Sequence, residues 1–230
     1  MRRHDLPRRT AGRDRGALPG AREPDISHGS SRPFAMRFLV VGGGPREHAI
    51  AATLARANAE IVVASANRNP GLERLATASA RLDPTDPTGV TTFARAQHVD
   101  AAVIGPEAPL AAGVADALRA AEIPTVGPGR DAARIESSKQ FARELLARHG
   151  IDAQPRYVIP RSMEEVDRAV ADFPGPFVVK PSGLTAGKGV WVQGADFTDP
   201  KEGATYAKSI LVQGGSVLLE ERLDGEEFSL

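Results

Sequence analysis

The sequence predicts an α/β protein: a parallel sheet with helices on both faces, followed by a smaller α+β unit. Three observations predict it. From Met36 to Val126 short apolar runs alternate with segments of helical periodicity, the pattern of strand–helix–strand crossover units. Two turns, Gly42-Gly43-Gly44 and Gly105-Pro106-Glu107, directly follow apolar runs, and open parallel sheets gather ligands at such carboxyl ends of strands. Beyond Ser137 the alternation gives way to separate strands that bracket the loop Gly183-Leu184-Thr185-Ala186-Gly187-Lys188-Gly189.

Taken in order, Phe38–Val41 reads as a buried strand and Gly42–Gly44 as its turn. Pro45 suits a first helical position, and the helix runs over His48–Ala57. Ile61–Ala64 is the next strand and Ala101–Ile104 a third, which feeds Gly105–Leu110 and a helix through Leu118. Pro124–Val126 is a short strand. Ser137 and Gln140 have the spacing of a capping box, opening a helix with the stripe Phe141, Leu145 and Leu146. Arg156–Ile159 is a strand, and Ser162 with Glu165 caps a helix to Phe173 that buries Met163, Val166 and Val170. A helix around Thr205–Leu211, a strand at Val217–Leu219 and an apparent strand at Glu227–Leu230 follow. The domain organisation is therefore 1–35, 36–136 and 137–230.

Residues 1–35 are a different material. Eight arginines (Arg2, Arg3, Arg8, Arg9, Arg13, Arg15, Arg22, Arg32) stand among Pro, Gly and Ser with no apolar periodicity. Such a segment buries too little surface to offset its ordering entropy, and reads as a disordered extension or a misassigned start ahead of Met36. Over the whole chain the charges balance at 29 basic and 29 acidic residues, so nothing draws it to nucleic acid or to a membrane surface. No apolar run is long enough to span a bilayer. With no cysteine there is no disulfide and no thiolate chemistry, which fits a cytoplasmic protein. His4, His28, His48, His98 and His149 lack ligand spacing, and His98 and His149 read as partners of helix dipoles.

Phe177–Val190 carries the most chemistry. A buried strand ends in Lys180, a glycine-rich loop holds Lys188, and a return strand begins at Val190. Two cations beside a loop rich in backbone N–H groups suit a nucleotide polyphosphate. Three residues, not four, separate Gly183 from Gly187, so this is not the common phosphate loop but a hairpin flap. The plain alternative is a surface hairpin with two solvated lysines. In the first half, Gly42 and Gly44 match a dinucleotide fingerprint, but Glu47 stands where its third glycine belongs. Arg68 could hold a 2′-phosphate and Arg46 a phosphate at the glycine turn.

In order along the chain stand Val-Gly-x-Gly-x-Arg-Glu-His-Ala, Gly-Pro-Glu-Ala-Pro-Leu, Ser-Lys-x-Phe, Gly-Leu-x-Ala-Gly-Lys-Gly-Val and Glu-Glu-x-Leu-x-Gly-Glu-Glu. From Met36 to Leu230 the chain resembles the phosphoribosylamine–glycine ligases (glycinamide ribonucleotide synthetases), ATP-grasp enzymes of purine synthesis, over about the first half of a family member. The resemblance implies a Rossmann-like pre-ATP-grasp domain over 36–136 and an incomplete ATP-grasp N-terminal lobe and hinge over 137–230. It implies that Lys139 and Lys180 contact the ATP phosphates and that Ala186, Gly187, Lys188 and Gly189 close over them. Glu220 and Glu221 would contact adenine, the Leu223 backbone would read the ring, and Glu227 would bind ribose. Gly43, Gly44, Arg46, Glu47 and His48, with Gly105, Pro106, Glu107, Ala108 and Pro109, would form the wall for phosphoribosylamine.

The implied reaction joins glycine to phosphoribosylamine at the expense of ATP. Its cofactor is Mg2+, whose ligands the resemblance places beyond Leu230, and its implied partner is a complementing C-terminal half. Pro45, Ser182 and the stretch Asn67–Leu72 depart from the family pattern. The remaining readings are a non-catalytic nucleotide-binding fragment, another ATP-grasp carboxylate–amine ligase, and an NADP oxidoreductase.

Overall fold

The structure, a computed structural model, describes residues 35–184 and 189–226. The Arg-rich extension, the loop positions Ala186, Gly187 and Lys188, and the expected ribose ligand Glu227 with the strand at Glu227–Leu230 fall outside the described residues.

The first half is built on β1 (Arg37–Val41), α1 (Pro45–Arg56), β2 (Glu60–Ser65), α2 (Pro70–Leu75), β3 (Ala76–Arg81), α3 (Pro87–Ala96) and β4 (Ala101–Ile104). It continues through α4 (Glu107–Ala112), α5 (Val114–Ala120), β5 (Thr125–Val126) and α6 (Arg130–Ser137). The strands form one parallel sheet in the order β3-β2-β1-β4-β5. Because successive side chains point to opposite faces, β1 and β2 supply two cores. Leu39, Val41, Val62 and Ala64 pack under α3 to α6, whereas Val40, Ile61 and Val63 pack with Ala51 and Leu72 under α1 and α2. Both turns singled out above lie at the carboxyl ends of the central strands β1 and β4.

The second half comprises α7 (Lys139–Arg148), β6 (Tyr157–Val158), α8 (Met163–Asp172), β7 (Phe177–Pro181), β8 (Trp191–Val192), α9 (Pro200–Val212) and β9 (Val217–Glu221). Its four strands form an antiparallel sheet in the order β6-β9-β7-β8. One face buries Phe177, Val179, Val217 and Leu219 against Val166 of α8 and Ala204 and Ala207 of α9. The opposite face carries Lys180 and Glu220.

Several boundaries differ from expectation. The expected single helix through Leu118 is two, because Gly113 adopts the left-handed conformation (φ 90°) and ends α4. The cap of α7 is Ser138, not Ser137: its hydroxyl accepts the Phe141 N–H at 3.2 Å, while Ser137 closes α6. The strand expected over Arg156–Ile159 pairs only through Tyr157 and Val158, between Pro155 and Pro160, which have no N–H to donate to a ladder. The last helix starts earlier, at Pro200, with Asp199 as its cap.

Candidate functional site

Register builds the site. Antiparallel pairing sets Val178 opposite Glu220 and Lys180 opposite Leu218, so Lys180 and Glu220 share a face. Lys180 Nζ donates to Glu220 Oε2 at 2.5 Å, and Arg143 Nε, from α7, donates to Glu220 Oε1 at 2.8 Å. The Glu220 side chain is 1% exposed, against 27% and 23% for Lys180 and Arg143. Burial pushes its carboxyl up, but hydrogen bonds and charge from Arg143 and Lys180 outweigh this and hold it below the ordinary value.

Lys139 is delivered by the start of α7, which the chain after β7 grips closely. Lys139 N–H donates to the Ser182 carbonyl at 3.0 Å, and Gln140 N–H to Ser182 Oγ at 3.1 Å. With Ser138 serving Phe141, the first three N–H groups of α7 are all satisfied, so the helix end is held by protein. Lys139 Nζ donates to the Gly183 carbonyl at 3.3 Å. Burial and then the charge of Lys180 push the Lys139 ammonium below its ordinary value, with Glu220 opposing. Lysines 139 and 180 thus stand at the entrance of the glycine-rich loop with one buried carboxylate to balance three cations.

The expected hinge residues divide. The Glu220 side chain serves the two cations. Glu221 pairs with Arg156 at 2.9 Å, and Leu223 is exposed. Gly189 lies at the exit of the loop, next to β8. Ser182 and Arg143 were missed by sequence reasoning, although Arg143 sits four residues after Lys139 and so shares its helical face.

The second cluster gathers at the ends of β1 and β4. Glu47 is buried, and its Oε2 accepts the Gly44 N–H at 2.6 Å. A Cβ on Gly105 would lie 2.0 Å from Glu47 Oε1, so only glycine admits this carboxylate between the two turns. Arg46 Nη1 donates to the Gly105 carbonyl at 2.7 Å. The first turn of α1 therefore clasps both glycine turns. The Gly44 N–H is thus met by the protein's own carboxylate. Arg68, considered for a 2′-phosphate, pairs with Glu73 at 2.9 Å.

Gly43 offers its carbonyl to Asn69 Nδ2 at 3.0 Å. Asn69 also caps α2, a role legible in the Asn69-Pro70 pair but not assigned from sequence. His48 packs against Gly71 of α2. Pro106 is the residue before α4, Glu107 opens that helix half-buried, Ala108 is exposed and Pro109 is buried. Among the described residues no group of three or more His, Asp or Glu side chains could hold a metal ion. None of the described residues is assigned to Mg2+. No helix of the described residues is long and apolar enough to cross a membrane.

A parallel-sheet domain leading into an antiparallel lobe with paired lysines beside a glycine loop defines the ATP-grasp ligase class. Solved structures agree in fold. Phosphoribosylamine–glycine ligase from Thermotoga maritima aligns with a TM-score of 0.65 at 23% identity, over 83% of this chain and 45% of that one. N5-carboxyaminoimidazole synthetase from Staphylococcus aureus, complexed with ADP, aligns with a TM-score of 0.62 at 16% identity, over 83% and 48%.

Within that class the chain belongs to the phosphoribosylglycinamide synthetase family: residues 36–136 match its N domain and residues 137–230 its ATP-grasp (A) domain. Phosphoribosylamine–glycine ligase of Pyrococcus abyssi is 46% identical over 194 residues, which is 84% of this chain and 44% of that protein. The enzyme of Methanothermobacter thermautotrophicus is 47% identical over 199 residues, 85% and 45% respectively. The chain spans about half the length of the curated relatives it matches.

Proposed function

We propose that this chain carries the nucleotide cleft and the amine-substrate wall of a phosphoribosylamine–glycine ligase acting in purine synthesis. The observation that carries the proposal is the Lys139–Lys180 pair, set by Glu220, Arg143 and Ser182 at the mouth of a glycine-rich loop. In the proposed reaction the glycine carboxylate takes the terminal phosphoryl group of ATP, giving glycyl phosphate and ADP. The amine of phosphoribosylamine attacks the acyl carbon, the C–N bond forms, phosphate leaves with the C–O pair, and the nitrogen loses a proton. The products are glycinamide ribonucleotide, ADP and phosphate.

Both substrates of the first step are anions, so charge neutralisation matters more than acid–base chemistry. Lysines 139 and 180, with Lys188 and the N–H groups of Ala186, Gly187 and Gly189, would supply it. Glu220 and Glu221, with the Leu223 backbone and Glu227, would hold the adenosine. Gly43, Gly44, Arg46, Glu47 and His48 with Gly105, Pro106, Glu107, Ala108 and Pro109 would shape the wall for phosphoribosylamine, Glu47 and His48 from behind it. Mg2+, a cytoplasmic location and a complementing C-terminal half belong to the same proposal, on the strength of the family.

The test is ADP release that requires both glycine and phosphoribosylamine. It compares the 230-residue chain with the same chain joined to the C-terminal half of the Pyrococcus abyssi ligase. The joined protein is expected to turn over and the 230-residue chain to stay silent. ADP release by the joined protein that is indifferent to glycine or to phosphoribosylamine would overturn the substrate assignment.

A further inference from the structure

The chain returns from the glycine-rich loop to the sheet at Gly189, and a side chain from another element meets it there. Tyr206, in α9, donates its hydroxyl to the Gly189 carbonyl at 2.8 Å. The ring behind that hydroxyl is held on its face: Tyr206 stacks on Trp191 with ring centroids 4.3 Å apart and planes 17° from parallel. Trp191 leans in turn on Phe197 at 6.2 Å, and Phe197 on Phe177 at 5.5 Å. Phe197 and Phe177 are buried in the lobe's core. A line of four rings therefore runs from the core to one backbone carbonyl.

That carbonyl is well placed to matter. Gly189 lies in the left-handed region (φ 85°) against the ring of Pro181, which directly follows Lys180. The two described ends of the hairpin thus touch beside the lysine that Glu220 orients. Packing does not explain the hydroxyl. Tyr206 is half-buried, and a phenylalanine would fill the same stack; what the oxygen adds is a fixed direction for the Gly189 peptide.

Resting on the nucleotide reading of this site, we propose that Tyr206 is a positioning residue for nucleotide binding. Through the Gly189 carbonyl it fixes the loop's exit before a ligand arrives, so that less ordering cost falls on binding. The aromatic line makes the post stiff. Trp191 is the chain's single tryptophan, so the post also carries its own fluorescent reporter.

The test is Tyr206→Phe, which keeps the ring and removes the donor. Affinity of the full 230-residue chain for ATP with magnesium is measured calorimetrically at 25 °C, beside Trp191 emission and the thermal midpoint. Affinity should fall about 3- to 10-fold, the range for one lost hydrogen bond. Emission of the unliganded protein should not change, because the stack survives, and Trp191→Phe, which keeps the hydroxyl contact, should bind like the wild type. Wild-type affinity in Tyr206→Phe, with or without a lowered midpoint, would make the hydroxyl merely structural and overturn the inference while leaving the nucleotide reading intact. Absence of binding by the wild type would remove that reading, and the inference with it.

Discussion

Glu220 holds two cations from different elements while almost wholly removed from water, and this gives it a measurable signature. Glu220→Gln keeps the shape and removes the charge. Breaking a fully buried pair costs about 3–5 kcal/mol, but Lys180 and Arg143 each keep about a quarter of their side chains in water, so about 1–3 kcal/mol is expected here. The folded carboxyl titrates below its ordinary value. Its stabilising effect is therefore complete above the unfolded pKa and is lost as pH falls through the folded one. Urea unfolding of wild type and Glu220→Gln should differ most near neutral pH, and the gap should close in acid below the ordinary carboxylate range. Ser182→Ala removes the acceptor for Gln140 N–H and should cost about 0.5–2 kcal/mol in the same measurement, as for a lost helix cap. Lys180 stood out in the sequence because a cation beside a glycine loop announces anion chemistry, whereas Lys139 was singled out only by the family resemblance. The task of Glu220 was not legible there, because it depends on a strand register joining residues 40 positions apart.

Among the elements, the strands of both sheets announce themselves where they are continuously apolar, as in Leu39–Val41, Val62–Ala64 and Val217–Leu219. The strand β3 did not. Its sequence Ala-Thr-Ala-Ser-Ala-Arg has small side chains up to Arg81 and alternates between half-buried and exposed, as suits an edge of the sheet with little to bury. The helices α2 and α3 between β2 and β4 also went unassigned, although each begins with a cap followed by proline: Asn69-Pro70 and Asp86-Pro87. The antiparallel lobe depends on one strand above the others, since β9 lies between β6 and β7. Leu219, wholly buried there, contacts the core that faces α8 and α9. Leu219→Ala should destabilise the protein by about 2–5 kcal/mol in urea, the range for large-to-small changes in a packed core. A cost under about 1 kcal/mol would mean that the lobe packs differently.

On the scale of the whole molecule, the fold class was readable because strand–helix alternation and then its loss divide the chain into two styles of sheet. The candidate site was half readable. Glycine loops and cations stand out in a sequence, whereas the contacts that aim them (Ser182 to α7, Arg143 to Glu220, Tyr206 to Gly189) join residues distant along the chain. Residues 1–35 carry no apolar pattern, and removing them should change the unfolding free energy by less than about 0.5 kcal/mol. The central claim is that the two lysines flanking the loop entrance bind a nucleotide. It is tested most directly by titrating ATP with magnesium into the 230-residue chain and into Lys180→Ala in a calorimeter. Wild type should bind, and Lys180→Ala should bind more weakly by about 1.5–3 kcal/mol, the worth of a hydrogen bond to a charged group. Equal affinities for the two proteins would contradict the site.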